Sequence, residues 1–357
     1  MAIRELLALA VHNRASDLHL NVPSVPVMRI DGELYPVQNV APLSVKDVQA
    51  LFEEITTAER RAAFAINHEL DFAYSVPGLT RSRVNILQQR SALSIAIRLI
   101  PFSVPTIDEL GLPEICRTLV TRTMGLVLVT GPTGCGKSST IAAMINHLNE
   151  TRSCQVITIE DPIEYVYSNR KSLILQRDIG EDTASFDSAL VHALRHDPDV
   201  IVLGEIRDLN TMTTAMRAAE TGHLVIGTLH TNDAAQTINR IVDLFPAVQQ
   251  EQMRSQLSLV LTGVICQTLV PRADREGRVP ACEVMLATTP IRNIIREGRV
   301  HQIYNTMQVS KKDGMQTMNQ ALADLVMRGL VSKEQAGLRT MMLDDLKTLY
   351  GCPEHGL

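Results

Sequence analysis

The chain has 357 residues, of which 45% are hydrophobic and 20% charged. That is enough apolar material for sizeable cores and too much for a disordered chain, and the length suggests about two domains. Lysines and arginines number 34 against 39 aspartates and glutamates, a net charge of −5 with no long block of one sign, so a face built for direct nucleic-acid binding is not expected.

No apolar run reaches the ~18–20 residues of a membrane helix, and membrane insertion is not expected. The opening segment Met1–Ala10 carries Glu5 and reads as a helix rather than an export signal. Its apolar residues Ile3, Leu6, Leu7 and Ala10 recur at helical spacing. Cys116, Cys135, Cys154, Cys266, Cys282 and Cys352 contain no Cys-x-x-Cys pair, which disfavours zinc and a disulfide framework and points to a reducing compartment.

Residues 1–100 read as a small α/β domain. Val25–Ile30 and Glu33–Val37 flank Asp31-Gly32, a two-residue hairpin signal. Thr56 and Glu59 have the spacing of a capping box for a helix running to about Ile66. Strands are predicted near 70–76, 82–88 and 93–100. A short loop at 89–92 pairs Val84 with Ile97 and Ile86 with Ile95 on one apolar face, which sets Arg83 opposite Arg98 on the other. Like charges so placed repel: either an anion sits by them or both arginines splay into solvent.

Residues 101–108, with Pro101 and Pro105 and a helix-start signal, read as an interdomain linker. From 109 to 289 buried strands (Leu126–Val129, Val156–Ile159, Val200–Leu203, Leu224–Ile226) alternate with amphipathic helices expected at 137–149, 185–195, 210–221, 233–243 and 247–262. This alternation predicts a largely parallel sheet covered on both faces. Residues 290–357 read as helical, with a tail from Gly351.

Gly131-Pro-Thr-Gly-Cys-Gly-Lys-Ser138 fits G-x-x-x-x-G-K-[ST] between an apolar strand and a helix, the context that makes this motif a triphosphate cradle. Backbone N–H groups of Gly131, Pro132-Thr133, Gly134, Cys135 and Gly136 (proline excepted) and the following helix N-terminus, Lys137 to Ser139, would hold the phosphates of ATP. Lys137 would reach the β/γ-phosphates and Ser138 a Mg²⁺ ion. Glu205 ends the buried strand Ile201–Leu203, where it could hold Mg²⁺ partly through water. Glu160, Asp161 and Glu164 follow another strand, and position does not choose a general base among them. His230 ends a strand on the same side and could sense the γ-phosphate; His223 begins that strand and suits a structural or interface role.

Together these segments resemble the secretion ATPase superfamily, the hexameric motors of type II and type IV secretion and of type IV pili. Its Walker A, Asp-box, Walker B and His-box segments are similar to Gly131–Ser138, Thr158–Tyr165, Ile201–Asp208 and Gly222–Thr231. The resemblance implies a PAS-like N-terminal domain, a RecA-like P-loop ATPase domain and a helical C-terminal extension. It also implies Glu164 as catalytic base, Glu205 as the Walker B acid, and Arg83 and Arg98 as phosphate contacts. Arg195, Arg207 and Arg240 could act at the nucleotide or hold structural ion pairs.

Within the superfamily the chain resembles the pilus retraction ATPases. Ala15-Ser-Asp-Leu-His-Leu20 is similar to their opening, and there is no four-cysteine insertion of the kind common in assembly and type II secretion relatives. Pro290-Ile-Arg-Asn-Ile-Ile-Arg-Glu-Gly298 resembles their C-terminal retraction motif, with function expected of Arg292, Asn293, Arg296 and Glu297 and core packing of the isoleucines. The resemblance implies a homohexamer at the cytoplasmic face of the inner membrane. Its stroke would act on a PilC-like platform protein, with a PilU-type accessory ATPase as a further expected partner. A PilU-like accessory role, pilus assembly or type II secretion are the nearest alternatives. A RecA-like nucleic-acid motor is a remoter one, because aromatics are only 3% of the chain and stacking platforms need them.

Overall fold

A computed structural model of the chain describes residues 2–30, 32–100 and 103–350. Asp31 of the expected hairpin, Pro101 and Phe102 of the expected linker, and the tail from Gly351, with Cys352, lie outside the described residues. Two units are present: Met1–Ser103 with Glu164–Val166, and Val104–Ile163 with Tyr167–Leu357.

In the first unit α1 (Ile3–His12) leads into β1 (Asp17–Asn21), β2 (Val27–Ile30) and β3 (Glu33–Pro36). Next come α2 (Val45–Ile55), α3 (Ala58–Asn67), β4 (Glu69–Val76), β5 (Thr80–Gln89) and β6 (Ala92–Ile100). The six strands form one antiparallel sheet in the order β3-β2-β1-β6-β5-β4. One face is apolar: Leu18, Leu20, Val84, Ile86, Ile95 and Ile97 pack with Leu6, Leu7, Val48, Leu51 and Phe52 of the helices.

One detail differs from the sequence expectation. The N-cap of α3 is Thr57, whose hydroxyl accepts from the Arg60 N–H. Thr56 is spent on α2 instead, its buried hydroxyl donating to the Phe52 carbonyl at 2.5 Å. Two adjacent threonines serve two helices, so the expected Thr56–Glu59 box does not form.

The second unit begins with α4 (Ile107–Leu110), α5 (Ile115–Val120), β7 (Gly125–Thr130), α6 (Lys137–Thr151), β8 (Gln155–Glu160) and β9 (Leu173–Asp178). It continues through α7 (Phe186–Ala193), β10 (Val200–Leu203), α8 (Leu209–Glu220), β11 (Leu224–Leu229), α9 (Ala234–Asp243) and α10 (Gln250–Val260). Then follow β12 (Leu261–Pro271), β13 (Arg278–Leu286), α11 (Thr289–Arg296), α12 (Ile303–Val309), α13 (Met318–Met327), α14 (Lys333–Gly337) and α15 (Leu343–Leu349). The sheet order is β13-β12-β7-β11-β10-β8-β9, parallel except for the edge strand β13.

Burial on both faces follows from strand alternation. Leu126, Leu128, Ile201 and Val225 face a core shared with α7 to α10. Val127, Val129, Val202 and Ile226 face another, shared with α4 to α6. The helix expected to reach residue 262 stops at Val260, because β12 follows without a loop.

Strand β13 carries a group that periodicity could not mark. Glu283 is 4% exposed. Its carboxylate accepts from the Ala234 N–H at 2.8 Å and the Met318 N–H at 3.2 Å. One buried acid thus serves the first turns of α9 and α13, whose N–H groups lack helical partners. Burial nevertheless dominates and pushes Glu283 up to about 7, against the hydrogen bonds that favour its charge. A carboxyl raised above its unfolded value stabilises the fold most at low pH, and that contribution is lost as pH rises through about 7. The urea midpoint of the chain should therefore fall between pH 5 and pH 8. Glu283→Gln, which cannot ionise, should flatten this slope, a difference on the order of 2 kcal/mol. Parallel slopes for the two proteins would refute the assignment.

Candidate functional site

The phosphate loop joins β7 to α6, and its shape depends on backbone angles that side chains disfavour. Gly131 has φ +143° and Gly136 φ +89°. A Cβ on Gly131 would lie 2.3 Å from the Gln267 carbonyl oxygen, so only glycine lets the loop back so closely onto β12. Gly136 caps α6, whose first residue is Lys137. Thr133 and Gly134 are exposed at the tip, Pro132 beside them, and Cys135 is buried beneath. Burial pushes the Cys135 thiol up despite the nearby Lys137 charge. Ser138 and Ser139 are half-buried on the first turn.

The Lys137 ammonium donates to the Gly131 carbonyl at 2.8 Å and the Pro132 carbonyl at 3.2 Å, and lies 3.4 Å from Nδ1 of His230. His230 follows β11, and its Nε2 is 3.2 Å from the Glu205 carboxylate. An ammonium can only donate and a carboxylate only accept, so these partners match the neutral ring with its hydrogen on Nε2. Glu205 follows β10, and its other oxygen is 2.7 Å from the Arg207 guanidinium. That guanidinium holds the Glu205 carboxyl below the usual carboxylate range, with burial opposing. The result is an alternating string, Arg207–Glu205–His230–Lys137, ending on the phosphate loop.

The other strand-end acids differ among themselves. Glu160 accepts from the Thr158 hydroxyl at 2.6 Å and the Gln176 amide at 3.1 Å, which turns it toward β9. Asp161 is exposed and adds to the raised basicity of Arg207. Glu164 is exposed on the segment grouped with the first unit. His223 precedes β11, its Nδ1 3.0 Å from the Ala218 carbonyl, where it closes the end of α8. Arg195 and Arg240 are exposed; of the three further arginines, Arg207 is the one joined to the string.

In the first unit Arg83 stands opposite Arg98 across β5 and β6. Neither is splayed away from all negative charge. The Arg98 guanidinium is 2.9 Å from Asp17, and that of Arg83 is 3.8 Å from Asp71. Asp17 sits opposite both Arg98 and Arg29, so one sheet row reads Arg29–Asp17–Arg98–Arg83. Burial works against the Asp17 charge, but the Ser16 hydroxyl and Arg98 outweigh it and hold the carboxyl below its usual range.

The C-terminal motif divides. Ile291, Ile294 and Ile295 are buried, whereas Asn293, Arg296 and Glu297 are exposed. Arg292 points inward. It donates to the carbonyls of Ala287 at 2.8 Å, Leu259 at 2.6 Å and Leu261 at 2.9 Å, and also to that of Ser258. These include the unpaired last carbonyls of α10, so its guanidinium is a helix cap.

No set of three or more His, Cys, Asp or Glu side chains suited to a metal occurs among the described residues. The Ser138 hydroxyl and the charged Glu205 carboxylate are oxygen groups of the kind that a hard cation such as Mg²⁺ would take.

Comparison with known proteins follows the same lines. The family model described as "Type II/IV secretion system protein" matches residues 2–340. The chain is 47% identical over 336 residues to the type IV pilus retractation ATPase PilT of Pseudomonas aeruginosa, covering 94% of this chain and 97% of that one. It is 40% identical over 349 residues to the type IV pilus ATPase PilU of the same organism, covering 98% and 91%. The crystal structure of the pilus retraction motor PilT with bound ADP superposes with a TM-score of 0.91 at 46% identity, covering 98% of this chain and 99% of that one. With its glycine loop, strand-end acid and histidine in one string, the chain belongs to the type II/IV secretion ATPase family, among its PilT-type ATPases.

Proposed function

We propose that the chain is the ATP-hydrolysing subunit of a homohexameric motor that retracts type IV pili. The observation that supports this most is the string from Arg207 through Glu205 and His230 to Lys137. It links the Walker B acid to the phosphate loop, in a chain more similar to PilT than to PilU.

Lys137 now rests on loop carbonyls, neutral acceptors that phosphate oxygens would outcompete. The N–H groups of the loop and the first turn of α6 would hold the rest of the triphosphate. Ser138 and Glu205 would hold Mg²⁺, which supplies charge neutralisation at the phosphates when bound. Glu205 is already anionic and fixed by Arg207, so it serves as ligand rather than base. Glu164 is proposed as the base that takes a proton from the attacking water. His230 can pass on a change at Lys137 to Glu205 because it touches both.

Arg83 and Arg98 are proposed to contact nucleotide phosphates, exchanging the aspartates they hold at present. A ligand moves a conformational equilibrium only through differential binding, and this exchange supplies it. The stroke is proposed to act on a PilC-like inner-membrane platform protein from the cytoplasmic face, with a PilU-type ATPase as companion in cells that have one. The exposed Asn293, Arg296 and Glu297 are the residues of the retraction motif available to a partner.

Deletion of the gene should leave pili assembled but unretracted, and restored twitching on complementation by the wild type alone checks this; unimpaired retraction in the deletion strain would overturn the reading. Glu164→Gln should bind ATP and release phosphate about 10²–10⁴ times more slowly, as measured by nucleotide binding beside a phosphate-release assay. Arg292→Ala should lower the stability of the purified chain by about 1–3 kcal/mol through unpaired helix carbonyls. Arg296→Ala should instead keep the melting profile and ATP turnover while retraction is lost, so thermal unfolding and motility together separate the two arginines of one motif.

A further inference from the structure

Strand β12 pairs with β7 only as far as Cys266 opposite Thr130. Gln267 is the next residue, where β7 turns into the phosphate loop, and it is 3% exposed. Its side-chain amide donates from Nε2 to the Cys135 carbonyl at 2.6 Å. The other end of the amide accepts from the Thr140 hydroxyl of α6, also at 2.6 Å. Thr140 is fully buried, and its own N–H donates to the Gly136 carbonyl at 3.0 Å. A carbonyl can only accept, so the amide orientation is fixed by its partners. Strand, loop and helix are thereby tied into one closed ring of hydrogen bonds.

We propose that Gln267 is a positioning residue for nucleotide binding: it sets the peptide plane between Cys135 and Gly136 and so aims the Gly136 N–H at phosphate. In a trans peptide the C=O and the following N–H point in opposite directions. Anchoring the Cys135 carbonyl on β12 therefore turns the Gly136 N–H away from the strand, toward the side on which this motif takes phosphate. Gly136 has φ +89°, a region where glycine is free to rotate, so the loop backbone does not hold this plane unaided. A Cβ at Gly136 would come within 3.0 Å of Gln267 Nε2, which shows how closely the amide underlies the loop. Thr140 holds the amide in turn, so the helix that carries Lys137 and the plane that carries the Gly136 N–H are referred to one buried group.

The inference rests on the nucleotide-binding part of the proposed function and not on pilus retraction. Its test uses the full-length chain with a fluorescent ADP analogue and Mg²⁺, together with steady-state ATP hydrolysis. Gln267→Glu still accepts from Thr140 but sets a carboxylate against the Cys135 carbonyl. The expected result is an ADP Kd raised about tenfold or more and a KM for ATP raised in parallel, with kcat at saturation reduced much less. Thr140→Ser keeps the hydroxyl and should stay near wild type, and Thr140→Val should lie between. If Gln267→Glu does not fold, Gln267→Met, which keeps the volume and removes the donor, is read by the same criteria. An unchanged Kd and KM in a folded variant overturns the proposal. So does a fall in kcat alone, the sign of a smaller active fraction. Failure of the unmodified chain to bind ADP would remove the nucleotide reading itself, an outcome distinct from either.

Discussion

A parallel sheet buried on both faces leaves its strands almost no room for polar side chains, and this constraint shapes the second unit. Within β7, β10 and β11 every residue is buried, and the polar exceptions are threonines such as Thr130 and Thr228. For these three strands, charged groups appear only where the strand runs out. Because these strands are parallel, they all run out at one edge. The phosphate loop after β7, Glu205 after β10 and His230 after β11 are neighbours for that reason, although 74 and 99 residues of sequence separate Gly131 from the latter two.

At that edge, charge is organised by alternation. Arg207, Glu205, neutral His230 and Lys137 form a line in which each donor meets an acceptor. The sheet of the first unit uses the same device, with Asp17 between Arg29 and Arg98 and with Asp71 beside Arg83. The Arg83–Asp71 pair is exposed on both sides, and pairs of that kind are weak, roughly 0–1 kcal/mol. Such weakness is compatible with the exchange of anions proposed for Arg83. A buried pair would resist such an exchange far more strongly.

The C-terminal region is built differently. Arg292 and Glu283 are consumed internally, one capping the end of α10 and the other starting α9 and α13. Helix ends leave unpaired backbone groups, and these two side chains satisfy them, Glu283 deep in the interior and the half-buried Arg292 nearer the surface. Charged residues in a motif therefore need not share a role. Arg292 and Arg296 lie one helical turn apart in sequence, yet one faces carbonyls and the other solvent.

Local pattern was enough to read the glycine cradle, the buried parallel strands and the register that opposes Arg83 to Arg98, because each depends on spacing along a short segment. The strand-end positions of Glu205 and His230 followed from the same periodicity, and the family resemblance from the order of the motifs. Strands β9, β12 and β13 were not legible. Strand β12 continues an apolar helix without a turn, and β13 alternates against a partner that only the sheet supplies. Tertiary structure alone decided which acid joins Lys137 through His230, that Asp17 and Asp71 answer the paired arginines, and that Gln267 and Glu283 do buried work. A buried glutamine or glutamate carries no periodic signal: its meaning is the pair of distant backbone groups it joins, and chain folding is what brings those groups within reach.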